Sequence, residues 1–438
     1  MTKTFKGGVH PPENKKLTDK KKYENLSIPS TIRVPLLQHI GKPAVPVVNI
    51  GDIVEEGQLI AKADGFISAN IHAPLPGKVT DINLFATHMG RKNTCIVIEV
   101  QGNFGHKYNT FFNDWPSLDS AQLLEKVIAA GIVGMGGAAF PTHVKLSPPA
   151  EKPVDCLLVN AAECEPFLTV DDNLVKAFPD EIIEGIEITL KILKIRKAVI
   201  GIENNKKESF NLLKKTIASK NLSSSISIKM LKTKYPQGSE KQLIQVLTGR
   251  VVPSGRLPMD VGVVVQNVGT VFAINEAVIK NKPLYERYIT VTGSAVKKPG
   301  NYKVKIGTPV SEIIDECGGL IKEPGKVIMG GPMCGLALSS LDIPVVKGTS
   351  GILVLTEKET SVGDYCACIR CGRCVQACPV NLLPLEMANA AEFTRFDLTD
   401  EMNPLDCIMC GSCAYVCPSG RPINHFIKLA QNHLRNKK

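Results

Sequence analysis

The sequence has no apolar run long enough to span a bilayer. Its longest candidate, Val261 to Ile274, is interrupted by Gln266 and Asn267 and falls short of the roughly 20 residues a membrane helix needs. An integral helical membrane protein is excluded. An apolar export signal is missing too, since the opening MTKTFKGGVHPPENKK holds no hydrophobic core. The expectation is a cytosolic chain with reduced thiols, so its 14 cysteines are not a disulfide framework. Aromatics are scarce, 5% of residues with a single Trp, and this argues against a nucleic-acid partner, whose binding faces interleave basic and stacking side chains.

What is present is unevenly placed. Of the net charge of +10, residues 1–45 carry +6 and residues 421–438 carry +5, which leaves the long middle at −1. Both ends read as solvated basic tails that dock on an acidic partner or a membrane surface. Nine of the 14 cysteines lie between Cys366 and Cys417. Cysteines used as small buried hydrophobes would be scattered instead.

At 438 residues the chain is long enough for several domains, and five segments can be read. Residues 1–30 are a basic, Lys- and Pro-rich arm. Residues 31–105 hold short β-type runs punctuated by Gly51, Gly57 and Gly77, in the pattern GD-x-V-x-x-GQ-x-IA followed by HAP-x-x-GKV. This resembles the lipoyl/biotinyl carrier module, a barrel-sandwich of short strands. Phe66 stands where carriers have their modified Lys, so a docking or spacer role is expected in place of cofactor carriage. Residues 115–284 alternate helices (Ala121–Ala130, Glu181–Leu193, Lys206–Ser219) with strands (Cys156–Asn160, Ala198–Ile202, Ile226–Leu231), which predicts a Rossmann-like parallel α/β core. Residues 285–355 alternate in ITVTG and YKVKIG, with one helix at Val310–Cys317, and suggest a ubiquitin-like β-grasp. Residues 360–438 hold the cysteine cluster. The fold class is multidomain, α/β plus β, with a C-terminal α-helical ferredoxin-like unit.

The cysteine spacing is the strongest signal. Cys368, Cys371, Cys374 and Cys378-Pro379 form C-x2-C-x2-C-x3-C-P, and Cys407, Cys410, Cys413 and Cys417-Pro418 repeat it. Three thiolates at this spacing wrap one corner of a cubane. In two-cluster ferredoxins the fourth Cys ligates the other cluster. The expected sets for two [4Fe–4S] clusters are Cys368, Cys371, Cys374 with Cys417, and Cys407, Cys410, Cys413 with Cys378. Structural zinc sites use paired C-x2-C units and would be oversupplied here. Cys366 is out of phase and reads as a non-ligand, and Cys95, Cys156, Cys317 and Cys334 receive no role.

A second signal is GIVGMGGAAFPTHVKL, residues 131–146, with four glycines in its first seven positions. It is a poor dinucleotide fingerprint because it follows a helix and not a strand, but its glycines permit close backbone approach to a flat or phosphorylated ligand. A strand also ends in NAAECEP, residues 160–166, and polar residues at the C-terminal end of a parallel strand are where α/β sheets bind ligands.

GMGGAAFPTHVK and NAAECEP, together with YPQGSE (Tyr235–Glu240) and QNVGT (Gln266–Thr270), resemble the flavin- and NADH-binding core of the 51-kDa subunit of respiratory complex I. With the GGVHPPENKKLT arm, the carrier-like module, the SLBB-type grasp and the two-cluster unit in that order, the whole chain resembles the C subunit of Rnf complexes, the ion-translocating ferredoxin:NAD oxidoreductases. The resemblance implies that Gly134, Gly136 and Gly137 pack against FMN and that Lys145 reaches its phosphate or ribityl oxygens. Asn160, Glu163, Cys164, Tyr235 and Gly238 would line the flavin, and Asn267 and Thr270 would bind its phosphate. Phe140 would stack on a ring of NAD(H), with Glu165 and Glu240 hydrogen-bonding the nucleotide. The chain departs from the complex I pattern at Ala162 (Asp there), Cys164 (Ser) and Ser239 (Glu), changes expected to alter flavin potential and nucleotide affinity.

The resemblance further implies an NAD-dependent flavin/iron–sulfur oxidoreductase subunit of the translocase class, with FMN, NAD(H) and two clusters as cofactors. NADH would deliver hydride and the flavin would release electrons singly to the clusters. The implied partners are the membrane and Fe–S subunits of the complex, and ferredoxin through them. The implied place is peripheral, on the cytoplasmic inner face of the membrane. Two rival readings remain at this point: a soluble reductase of the cobalamin-reductase type, and a cluster-only electron-transfer adaptor.

Overall fold

The computed structural model describes residues 2–102, 108, 111–360 and 363–436. The expected end of the module at residue 105 and the basic Lys437 and Lys438 lie outside the described residues. The barrel-sandwich module is two facing antiparallel sheets. One orders Thr31–Pro35, Lys92–Val100, Gly77–Ala86 and Ile53–Val54, and the other Val45–Pro46, Leu59–Lys62 and Ile71–His72. Alternation drives it: Ile32, Val34, Ile60, Ile71, Val79, Ile96 and Ile98 all point into one core. Any side chain at Gly77 would overlap the Glu99 carbonyl across the hairpin. At the far end of that hairpin the turn between Ala86 and Lys92 carries His88 and Met89.

The α/β core is built on a four-stranded parallel sheet in the order Ile226–Leu231, Ala198–Glu203, Cys156–Ala161, Val263–Asn267. Alternate residues serve opposite faces. Leu157, Val159 and Ala161 join a large core, while Cys156 and Leu158 pack with Leu243, Ile244 and Leu247 of helix Glu240–Thr248. The chain runs outward from Cys156–Ala161 through two neighbours and then returns to its other side with Val263–Asn267. The strand order therefore reverses between these two strands, and α/β folds bind ligands outside the carboxyl ends at such a switch point. Asn160 and Asn267 are register partners there.

Helices Pro179–Leu193 and Val268–Ile279 cross behind the sheet so closely that a methyl group at Gly185 would overlap the Val271 carbonyl. Gly185→Ala is expected to destabilise the protein by about 3 kcal/mol, the upper end of core overpacking, read from the midpoint of denaturant unfolding. A midpoint unchanged from wild type would show that the helices can separate freely.

The grasp sheet differs from the sequence expectation in one respect. Its six strands run Tyr23–Asn25, Gly300–Lys305, Glu286–Thr292, Gly351–Thr356, Pro324–Met329, Leu336–Ala337, so its first edge strand comes from the arm, paired in parallel with Gly300–Lys305. The same arm bridges Lys3 to Leu231 and Val9 to Tyr235, and the Gly8 amide donates to the Ala377 carbonyl at 2.8 Å. The C-terminal end is also folded: helix Ile423–Asn436 buries Ile427, Ala430 and Leu434, and buried Arg421 pairs with Glu392. The ends are thus folded and not free: backbone amides and carbonyls in the arm find partners in three other units, while Lys3, Lys6, Lys16, Lys20, Lys21 and Lys22 keep their charge exposed.

In the ferredoxin-like unit the two cysteine motifs repeat a conformation as well as a spacing. Arg370 and Met409 take left-handed backbones at φ 55° and 54°, as do Gly372 and Gly411 at 73° and 72°. Short helices Arg373–Ala377 and Ser412–Tyr415 follow. Among the described residues no helix is long and apolar enough to cross a membrane.

Candidate functional site

A cavity of about 770 Å³ opens at the switch point of the parallel sheet. Its floor is the glycine loop. The Gly134 amide donates to the Phe140 carbonyl at 2.8 Å and the Met135 amide to Thr270 Oγ1 at 3.0 Å, which pins the loop at both ends. A Cβ at Gly134 or Gly136 would meet protein only at ordinary contact distance, 3.5 Å, and one at Gly137 would meet nothing. The first two glycines are therefore not demanded by packing, and the space they leave belongs to the cavity, as a flat ring laid on the loop would require.

Strand-end residues form the next wall. Asn160 donates from Nδ2 to the Gly238 carbonyl at 2.7 Å and accepts the Ala162 amide at 3.1 Å. The Gly238 amide donates to Cys164 Sγ at 3.3 Å. Burial holds the Cys164 thiol far above its ordinary range, so it faces the cavity uncharged. Lys145 Nζ donates to Glu240 at 2.6 Å and to the Val265 carbonyl at 3.2 Å. Asn267 caps helix Val268–Ile279 by accepting the Gly269 amide at 2.8 Å and donates to Asp171 at 2.7 Å.

A third wall comes from the grasp unit and the cysteine unit. Glu165 accepts the Met333 and Cys334 amides at 3.1 and 2.8 Å, and burial raises its carboxyl pKa. The Tyr235 hydroxyl donates to the Cys410 carbonyl at 2.9 Å and lies 2.9 Å from Cys334 Sγ.

The cavity brings together Gly134, Gly136, Gly137, Phe140, Lys145, Asn160, Cys164, Glu165, Tyr235, Gly238, Glu240 and Asn267. It does not include Glu163 or Thr270. Thr270 is fully buried beneath the glycine loop. Glu163 turns back to accept the Asp171 and Asp172 amides at 2.6 and 3.4 Å, capping helix Val170–Ala177, and burial raises its carboxyl pKa against the opposing pull of Lys15. Both were placed against the flavin by motif position alone, yet one serves a helix end and the other a loop. Sequence reasoning missed Gln38, His39, His88 and Met89 of the carrier-like module, the Gly330–Gly331 turn with Cys334, and Ile408 and Lys428. GGPMCG, residues 330–335, is a glycine signal that was there to find. The module residues carry none, and beyond the docking or spacer role expected of it the module also walls the cavity.

Cys378, Cys407, Cys410 and Cys413 line one small cavity, the crossed set expected from the repeated spacing. Cys374 and Cys413 share an apolar core with Met387, Ile423 and Ile427, and Cys407 and Cys417 pack at its edge. Backbone amides already point at sulfur, Arg370 to Cys368 and Leu382 to Cys378, each at 3.3 Å. Thiols that converge in an apolar pocket with N–H donors suit an iron–sulfur cluster. Among the described residues no three metal-ligating side chains converge on a single-ion site.

Residues 127–276 match the Nuo51 FMN-binding domain, 3–103 the RnfC barrel sandwich hybrid domain, 288–337 the SLBB domain and 367–421 the 4Fe-4S dicluster domain. The C subunit of the proton-translocating ferredoxin:NAD(+) oxidoreductase complex from Clostridium ljungdahlii is 48% identical over 438 residues, covering 99% of this chain and 95% of that one. The chain belongs to the C-subunit family of ion-translocating ferredoxin:NAD(+) oxidoreductase complexes. The corresponding C subunit of the Na(+)-translocating complex from Acetobacterium woodii is 43% identical, over 98% of this chain and 97% of its own length. An NAD+-reducing [NiFe]-hydrogenase crystal structure (air-oxidized state) matches 64% of this chain and 54% of its own, with TM-score 0.50 and 20% identity, a likeness of fold. In this member of the family, therefore, the FMN-binding domain supplies the glycine floor and the dicluster domain supplies the Cys410 wall of one cavity.

Proposed function

We propose that this chain is the NAD(H)- and flavin-handling subunit of a ferredoxin:NAD+ oxidoreductase complex, passing electrons between NAD(H), FMN and two [4Fe–4S] clusters. One observation carries this reading: a single cavity has the glycine loop as floor and the Cys410 ligand loop as wall, with Tyr235 bonded across. Gly134, Gly136, Gly137, Lys145, Asn160, Cys164, Tyr235, Gly238 and Asn267 would hold FMN, and Phe140, Glu165 and Glu240 the nucleotide. The two ligand sets centred on Cys371 and Cys410 would hold the clusters. Bound flavin supplies the exchange between two-electron nicotinamide chemistry and one-electron cluster chemistry.

The protein's own part is placement. Asn160 fixes the 238 turn, Lys145 and Glu240 present paired charge at the cavity wall, and Cys164 presents a neutral thiol in place of an anion. Of the two ligand loops only 407–413 reaches the cavity. Cys371 and Ile369 on the other loop are exposed, which suits electron exchange with a partner subunit. The reading includes a peripheral position on the inner membrane face, beside membrane and Fe–S subunits.

Anaerobically purified protein is expected to hold about eight irons and about one FMN per chain. NADH should bleach flavin and clusters together in optical and EPR titrations. Iron without flavin would replace this reading with the cluster-only adaptor.

A further inference from the structure

The arm motif GGVHPPENKK packs Gly7 against the Cys378 carbonyl and Val9 beside Cys410, and its Lys15, away from those contacts, is among the best-partnered side chains of the molecule. Nζ donates to the Glu163 carbonyl at 2.9 Å, the Glu165 carbonyl at 3.0 Å and the Leu168 carbonyl, and lies 3.9 Å from the Glu163 carboxylate. Next to it Lys206 Nζ donates to the Ala162 carbonyl at 2.7 Å. Two buried ammonium groups thus take the carbonyls of residues 162, 163, 165 and 168 of one loop. A fifth tie is backbone, from the Phe167 amide to the Glu13 carbonyl at 2.8 Å.

This loop needs such ties. Glu163 and Phe167 both sit in left-handed backbone, at φ 46° and 68°, a conformation that non-glycine residues rarely adopt and that persists only when surroundings impose it. A buried ammonium bonded to several carbonyls imposes it. The loop's front carries Cys164 and Glu165 into the cavity, and Glu165 in turn holds the Met333 and Cys334 amides. One lysine therefore braces two walls of the cavity without touching it.

We propose that Lys15 is a positioning residue, which holds loop 162–168, and through Glu165 the 330–335 turn, in the conformation that binds NAD(H). The inference rests on the nucleotide-site reading above, and its test separates the two. Lys15→Met in the full chain should lose amide hydrogen-exchange protection across residues 163–172 and 333–335 by at least tenfold, with or without nucleotide. The Kd for NADH should rise about tenfold or more while the EPR signals of the clusters stay as in wild type. Lys21→Met is the control: the Lys21 side chain bonds the Pro299 carbonyl of the grasp unit, away from this loop, and both readouts should remain unchanged. Lys15→Arg keeps a multivalent donor and should restore part of the protection, and it is the variant to read if Lys15→Met does not fold. Unchanged exchange in this loop, or equal loss in the Lys21 control, overturns the role of Lys15. Wild-type protein that fails to bind NADH overturns the nucleotide reading, and the exchange result still decides what Lys15 holds.

Discussion

Cys378→Ala is expected to remove the cluster of the other motif and to leave its own motif's cluster in place. Cys378 follows Cys374 in sequence but lines a cavity with Cys407, Cys410 and Cys413. Iron should fall from about eight to about four per chain. The partner of Cys378 is identified by combination. Cys378→Ala with Cys407→Ala should hold about four irons, the same as either alone, because both ligands serve one cluster. Cys378→Ala with Cys371→Ala should hold almost none. Iron analysis and EPR spin counts of the reduced protein check both; about four irons in the second pair would show local and not crossed ligation.

The second large effect is on flavin. Lys145→Met is expected to raise the FMN dissociation constant by about 10- to 100-fold, the range of a lost charge-assisted hydrogen bond of about 1.5–3 kcal/mol. Its stability effect should be small by comparison. The Lys145 and Glu240 side chains retain 28% and 38% of their exposure, and ion pairs that open to water contribute under about 1 kcal/mol. Loss of flavin with little change in unfolding midpoint is the expected signature, measured by FMN content after ultrafiltration. Undiminished FMN content would remove Lys145 from the flavin site.

Several parts of this were legible beforehand, for identifiable physical reasons. The three helices and three strands expected in the α/β core lie within one or two residues of their observed bounds, helped by a long apolar period in Pro179–Leu193. Strand Val263–Asn267, which makes the switch point, and the helices Val170–Ala177, Glu240–Thr248 and Val268–Ile279 were not separated out. The cysteine motifs were legible because ligand spacing is local. The arm was not. Its contacts include backbone bonds to residues from 167 to 377 and a lysine that bonds carbonyls, neither of which leaves a compositional trace. Basic residues in an aperiodic segment look the same whether solvated or, like Lys15, enclosed. Glu163 was misplaced because a motif fixes a residue's position along the chain but not which side of the loop it faces. His88 and Met89 belong to a module with a complete core of its own, so nothing in their neighbourhood points to a distant cavity.

The path of the arm also has a consequence for the order of biosynthesis. Its partners at Leu231, Tyr235, Asn301 and Ala377 emerge from the ribosome long after it does. Residues 3–25 cannot be fully seated until those later segments have been made. An arm rich in lysine and poor in apolar side chains can wait in water without clinging to half-formed strands. Its seating, completed only once Ala377 exists, ties the close of folding to the arrival of the cysteine unit.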